Sequence, residues 1–128
     1  MPNSRSATAV RRETILLVED EPAVRNLFVR ALTREGYRIH EARNGHEAVE
    51  LFDRVGENID LLVTDLRMPL MGGLELADQL RARRPGMKLL CVSGYPGSDV
   101  PSLDAEFLAK PFSRDALLTK VRQILDQK

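Results

Sequence analysis

One unit recurs along the chain: a short apolar run closing on an acid, a hydroxyl or a lysine, then a stretch with apolar residues every three or four positions. The runs are "TILLVED", "IDLLVTD", "MKLLCVSG" and the shorter "EFLAKPF", with "YRIHEA" a more polar fifth. Between and after them lie "EPAVRNLFVRALTREG", "NGHEAVELFDRVG", "GLELADQLRARRPG" and "SRDALLTKVRQILDQ". Val24, Leu27, Phe28, Ala31 and Leu32 share one predicted helical face. Ala48, Val49, Leu51, Phe52 and Val55 share a second, and Leu74, Leu76, Ala77 and Leu80 a third. Gly36 stops the first helix, a Pro-Gly pair stops the third, and Ser113 suits the N-cap of the last. Strands that are apolar throughout need cover on both faces. Helical crossovers between parallel strands supply it, so the alternation predicts an α/β fold with a single doubly wound five-stranded parallel sheet.

Composition limits the rest. With 128 residues, 43% of them hydrophobic, the chain is long enough for one core and too short for two. Nineteen basic side chains balance nineteen acidic ones, which favours neither nucleic acid nor an anionic membrane surface. No apolar stretch is long enough to span a bilayer, and no secretory h-region follows the start. Cys91 stands alone in an apolar run, which excludes an intrachain disulfide and suits a buried hydrophobe in a reducing compartment. A cytoplasmic protein is expected. The opening "MPNSRSATAVRRE" shows no periodicity, so residues 1–13 are expected to be a disordered arm or linker and residues 14–128 the domain.

In such sheets ligands sit beyond the carboxyl ends of the strands, where strand order reverses. Those ends carry Glu19 and Asp20 after the first strand, Asp65 after the third, Ser93 and Gly94 after the fourth, and Lys110 and Pro111 after the fifth. In the flavodoxin-like order 2-1-3-4-5 the first and third strands are neighbours, which would bring Glu19, Asp20 and Asp65 together. Like charges at such spacing repel, and hard oxygen ligands with room for water suit Mg²⁺. Capping offers another account of the first triplet, since Glu19, Asp20 and Glu21 precede Pro22 at a helix start. A carboxylate beside Mg²⁺ and a lysine can attack a phosphoryl group to give an acyl phosphate. Asp65, ending the central strand, is the natural nucleophile.

At this point the chain resembles a known family. "ILLVEDEPAVR", "DLLVTDLRMPLMGG", "LLCVSGY" and "FLAKPFS" are similar, in order, to the motifs of the receiver domain of two-component response regulators, from about Thr14 to the end. The wording is most like receivers fused to the C-terminus of hybrid histidine kinases, with stand-alone regulators as the alternative. The resemblance implies a phosphoacceptor in a phosphorelay, catalytic only in its own phosphorylation and dephosphorylation. Its donor would be a histidine kinase or a histidine phosphotransfer protein, with no nucleic-acid or membrane partner. By resemblance Asp65 is phosphorylated, and Asp20, Asp65 and the Arg67 backbone carbonyl hold Mg²⁺, with Glu19 acting through a water. Ser93 and Lys110 would bind the phosphoryl oxygens. Gly94 would leave the pocket open, while Arg67 and Tyr95 flank the route of hydrolytic water and tune phosphoryl lifetime. Ser93 and Phe107 would form the switch, and a cis bond before Pro111 would aim Lys110 inward.

Two features depart from the family pattern. Phe107 lacks the hydroxyl of a switch tyrosine. "GYPGSDVPSLDAE" is several residues shorter than the usual connection, so the helix expected between the fourth and fifth strands is shortened or absent. That shortening sustains a second reading, a receiver-like interaction module that signals without phosphate. A flavodoxin or a haloacid-dehalogenase-type phosphatase is disfavoured, because "EDEP" is neither a phosphate-binding loop nor a D-x-D motif. Met68 and Met71 are read as packing residues, and His40 and His46 as lacking metal partners.

Overall fold

The computed structural model describes residues 13–55, 58–68, 70–93 and 106–127. Its elements run β1 (Thr14–Val18), α1 (Pro22–Arg34), β2 (Arg38–Ala42), α2 (Gly45–Val55), β3 (Leu61–Asp65), α3 (Gly73–Arg83), β4 (Lys88–Ser93), β5 (Glu106–Ala109) and α4 (Arg114–Asp126). All strand pairs are parallel, in the predicted order β2-β1-β3-β4-β5. Every residue of β1 and β3 is buried, as their apolar runs require.

Period-2 alternation splits the core in two. Ile15, Leu17, Leu61 and Val63 pack with Phe28, Leu32, Leu117 and Val121 beneath α1 and α4. Leu16, Val18 and Leu62 pack with Ala48, Phe52, Leu76 and Leu80 beneath α2 and α3. Cys91, Met71 and Met68 belong to this second layer, and burial pushes the Cys91 thiol up to about 12. Met71 sits so close to Gly45 that a Cβ there would meet its sulfur at 2.7 Å.

Helical spacing misplaced one core residue. Phe28, Ala31 and Leu32 of α1 are buried, but Leu27 is 67% exposed. Periodicity says which side chains share a face, whereas the width of the buried stripe depends on what packs against it. Here α1 and α4 diverge enough to leave a groove of about 480 Å³, and Leu27 lines it.

Local signals account for most helix ends. Ser113 caps α4 by accepting from the Ala116 N–H at 3.0 Å. Pro22 opens α1, while Glu21 at its N-cap makes no side-chain capping bond. Glu13 is tied to the domain: its carbonyl accepts from the Arg38 N–H, and its carboxylate meets Arg122 at 2.9 Å. Of the expected arm, 1–13, residues 1–12 lie outside the described residues, as does 94–105, where the shortened or missing helix is expected. Four helices are present among the described residues. No helix among them is long and apolar enough to cross a membrane.

Candidate functional site

The pairing of β1 with β3 places the ends of both strands side by side. Glu19, Asp20 and Asp65 consequently converge, each offering a carboxylate oxygen within 4.8 Å of the others. Glu19 is 1% exposed and Asp65 8%, while Asp20 opens to solvent. From the end of β5, Lys110 enters the same cluster. Its Nζ donates to Asp65 Oδ2 at 2.8 Å and lies 3.5 Å from Glu19 Oε1. The Lys110–Pro111 peptide is cis.

Backbone groups fix the two buried acids. The Arg67 N–H donates to Asp65 Oδ1 at 3.1 Å, and the Glu21 N–H donates to Glu19 Oε2 at 3.2 Å. Capping alone therefore does not explain the acidic triplet: one Glu19 oxygen takes the N–H of Glu21 at the start of α1, and the carboxylate also joins the cluster. Burial foremost, then the Asp65 charge, holds the Glu19 carboxyl above its ordinary range; the Glu21 N–H and Lys110 oppose this. For Lys110, burial alone would lower the ammonium, but the bond to Asp65 and the field of Glu19 outweigh it and raise it.

Lys110 approaches Glu19 Oε1 as a 3.5 Å ion pair, and that oxygen accepts no hydrogen bond among the described residues. A buried carboxylate oxygen left in this state calls for a cation. Three hard oxygens, one of them solvent-facing, fit Mg²⁺ better than a soft metal.

Sequence reasoning missed Arg25 and Thr64. Arg25 Nη1 donates to the Glu19 carbonyl at 2.9 Å while its Nε pairs with Glu41 at 3.3 Å, which anchors the acid's backbone. It stands one turn into α1, facing back over β1, and nothing in its spacing separates it from a surface arginine. Thr64 did carry a signal, since it is the polar interruption in an apolar strand. Ser93 ends β4; its side chain, and all of Gly94 and Tyr95, lie outside the described residues. Phe107 is partly buried against the α2–α3 layer, opposite Cys91 in the ladder.

The chain matches the family model of the response regulator receiver domain over residues 15–122. The chain belongs to that family. Its function class is phosphoacceptor signalling in a two-component system. The receiver is 44% identical over 120 residues to the sensor kinase CckA of Brucella abortus, covering 89% of this chain and 13% of that protein. It is 36% identical to the response regulator receiver protein CpdR of the same organism, covering 87% of this chain and 95% of CpdR. Among solved structures, the receiver domain from the hybrid histidine kinase CckA superposes with a TM-score of 0.78 at 34% identity, covering 88% and 99% of the two chains. The response regulator TrrA from Thermotoga maritima, in complex with Mg²⁺ and BeF, gives 0.77 at 37% identity over 88% and 98%. This receiver thus spans about an eighth of its CckA relative and nearly the whole of CpdR.

Proposed function

We propose that Asp65 accepts a phosphoryl group from the phosphohistidine of a histidine kinase or histidine phosphotransfer protein, in the cytoplasm, and that the domain promotes no reaction beyond its own phosphorylation and dephosphorylation. The observation that carries this reading is Lys110 Nζ at 2.8 Å from a carboxylate that shares its cluster with Glu19 and Asp20. Asp20, Asp65 and the Arg67 carbonyl would hold Mg²⁺, with Glu19 acting through a water. The bound ion would neutralise the crowded acids and the charge on the transferring group.

The Asp65 carboxylate attacks phosphorus. A P–O bond forms as the P–N bond to imidazole breaks, and the departing nitrogen takes up a proton. Lys110 moves from Asp65 Oδ2 to the incoming phosphoryl oxygens, and Ser93 donates its hydroxyl to one of them. Water later cleaves the acyl phosphate, releasing inorganic phosphate and restoring the carboxylate. By family resemblance Gly94 would leave the approach open, Arg67 and Tyr95 would tune the lifetime of the acyl phosphate, and Ser93 with Phe107 would carry the change outward.

The α1–α4 groove is the surface on which the donor would dock. Val24, Leu27, Phe28 and Leu117 give it an apolar floor; Arg30, Arg34 and Arg114 suit an acidic partner; and Lys110 also lines it, which joins the groove to the site. Likeness to CckA supports an origin at the C-terminal end of a hybrid kinase, and likeness to CpdR supports a stand-alone regulator. Mass spectrometry after treatment with acetyl phosphate and Mg²⁺ should show one added phosphoryl group, absent from Asp65→Asn. An unmodified wild type, under conditions that label a control receiver, would overturn the reading.

A further inference from the structure

Two residues outside the acidic cluster grip the backbone of Asp65. Thr64 is 0% exposed, and its hydroxyl donates to the Asp65 carbonyl at 3.0 Å. On the other side stands Gly73, the first residue of α3. A Cβ on Gly73 would lie 2.3 Å from that same carbonyl oxygen and 3.1 Å from Leu66 Cα, far inside contact distance. The Gly73 N–H donates to the Leu66 carbonyl at 3.0 Å, and the Leu66 N–H donates to the Val92 carbonyl at 3.0 Å.

The peptide after Asp65 is thus held at its oxygen by Thr64, at its nitrogen by β4, and on one flank by a residue with no room for a side chain. One residue further on, the Arg67 N–H binds Asp65 Oδ1. Rotation of the intervening peptide would swing that N–H away from the carboxylate. We infer that Thr64 and Gly73 are positioning residues, which lock the Asp65–Leu66 peptide so that the carboxylate of Asp65 stays aimed for phosphoryl transfer. This rests on the reading of Asp65 as phosphoacceptor. The competing account is that the Thr64 hydroxyl only satisfies its own burial.

Thr64→Val keeps the shape of the side chain and removes the donor. In the full chain it should melt within a few degrees of wild type. The amide proton of Arg67, read by ¹H–¹⁵N spectroscopy, should move upfield as its bond to the carboxylate weakens. Phosphoryl uptake from acetyl phosphate should slow by roughly five- to tenfold, the effect of one lost hydrogen bond. Thr64→Ser should restore both. An Arg67 resonance and uptake rate unchanged in Thr64→Val, or unrestored in Thr64→Ser, would refute the inference. Should Thr64→Val fail to fold, Gly73→Ala decides by the same amide resonance, which must move if the lock exists. A wild type that takes up no phosphoryl group, while the Arg67 resonance still follows the Thr64 hydroxyl, would remove the phosphoacceptor reading and leave the lock standing.

Discussion

Lys110 Nζ and Asp65 Oδ2 meet at 2.8 Å although 45 residues separate them in the chain. The lysine is the counter-charge that lets three acids share one rim without a metal. Lys110→Met should therefore lower metal-free stability at neutral pH by about 1–2 kcal/mol, with partial recovery on adding Mg²⁺. The ammonium is raised above its ordinary 10.5 in the fold, so the pair's contribution is complete below pH 10.5 and is lost as pH rises through the higher folded value. The gap between wild type and variant should close over that range. Calorimetric melts of both from neutral to high pH test this, and a gap that does not close counts against the pairing.

Glu19 makes the opposite contribution at neutral pH, although its pH dependence runs the same way. Its carboxyl is raised above the ordinary 4.5 in the fold, so its share of stability is fully present below pH 4.5 and lost as pH climbs through the folded value. At neutral pH the buried charge costs stability, and Glu19→Gln should melt higher than wild type in the presence of chelator. Mg²⁺ at ten times its Kd should stabilise wild type by roughly 1.4 kcal/mol, a shift of several degrees. That gain should shrink as acid protonates Glu19, because ligation needs the carboxylate. A Glu19→Gln variant melting at or below wild type in chelator contradicts the argument.

Leu70 occupies the left-handed region, with φ at 73°, and is 82% exposed. A leucine pays for that conformation and gains no burial in return. Leu70→Asn should stabilise the domain by about 0.5–1 kcal/mol in urea titration, since Asn tolerates this region better. An unchanged midpoint would show that the loop relaxes without strain.

Leu27 separates docking from chemistry. Leu27→Glu should leave melting and acetyl phosphate labelling near wild-type values, because the side chain is exposed and outside the acid cluster. Transfer from a phosphorylated histidine donor should fall about tenfold or more, as an apolar contact in the groove is replaced by a charge that repels an acidic helix. Equal loss with both phosphodonors would place Leu27 in the chemistry rather than the docking.

Much of this molecule was legible in order. Apolar runs and helical periods are local properties, so the strands, the helices and the acids at the strand ends could be read directly, while the strand order comes from the flavodoxin-like pattern such alternation follows. "TILLVED" and "IDLLVTD" announced both buried strands and where they stop. The helical period of α1 correctly named Phe28, Ala31 and Leu32, and failed at Leu27, because a period carries no information about how far the neighbouring helix reaches.

Sequence alone determined which chemical groups stand at the carboxyl edge, since each strand ends where its apolar run ends. Only the tertiary structure decided how those groups are used. It buried the Glu19 carboxylate beside Asp20 and Asp65, brought Arg25 to its carbonyl, and pressed Gly73 against the backbone of Asp65. Such contacts join residues through packing between separate elements, and their distances follow from the shape of the whole core rather than from any stretch of chain.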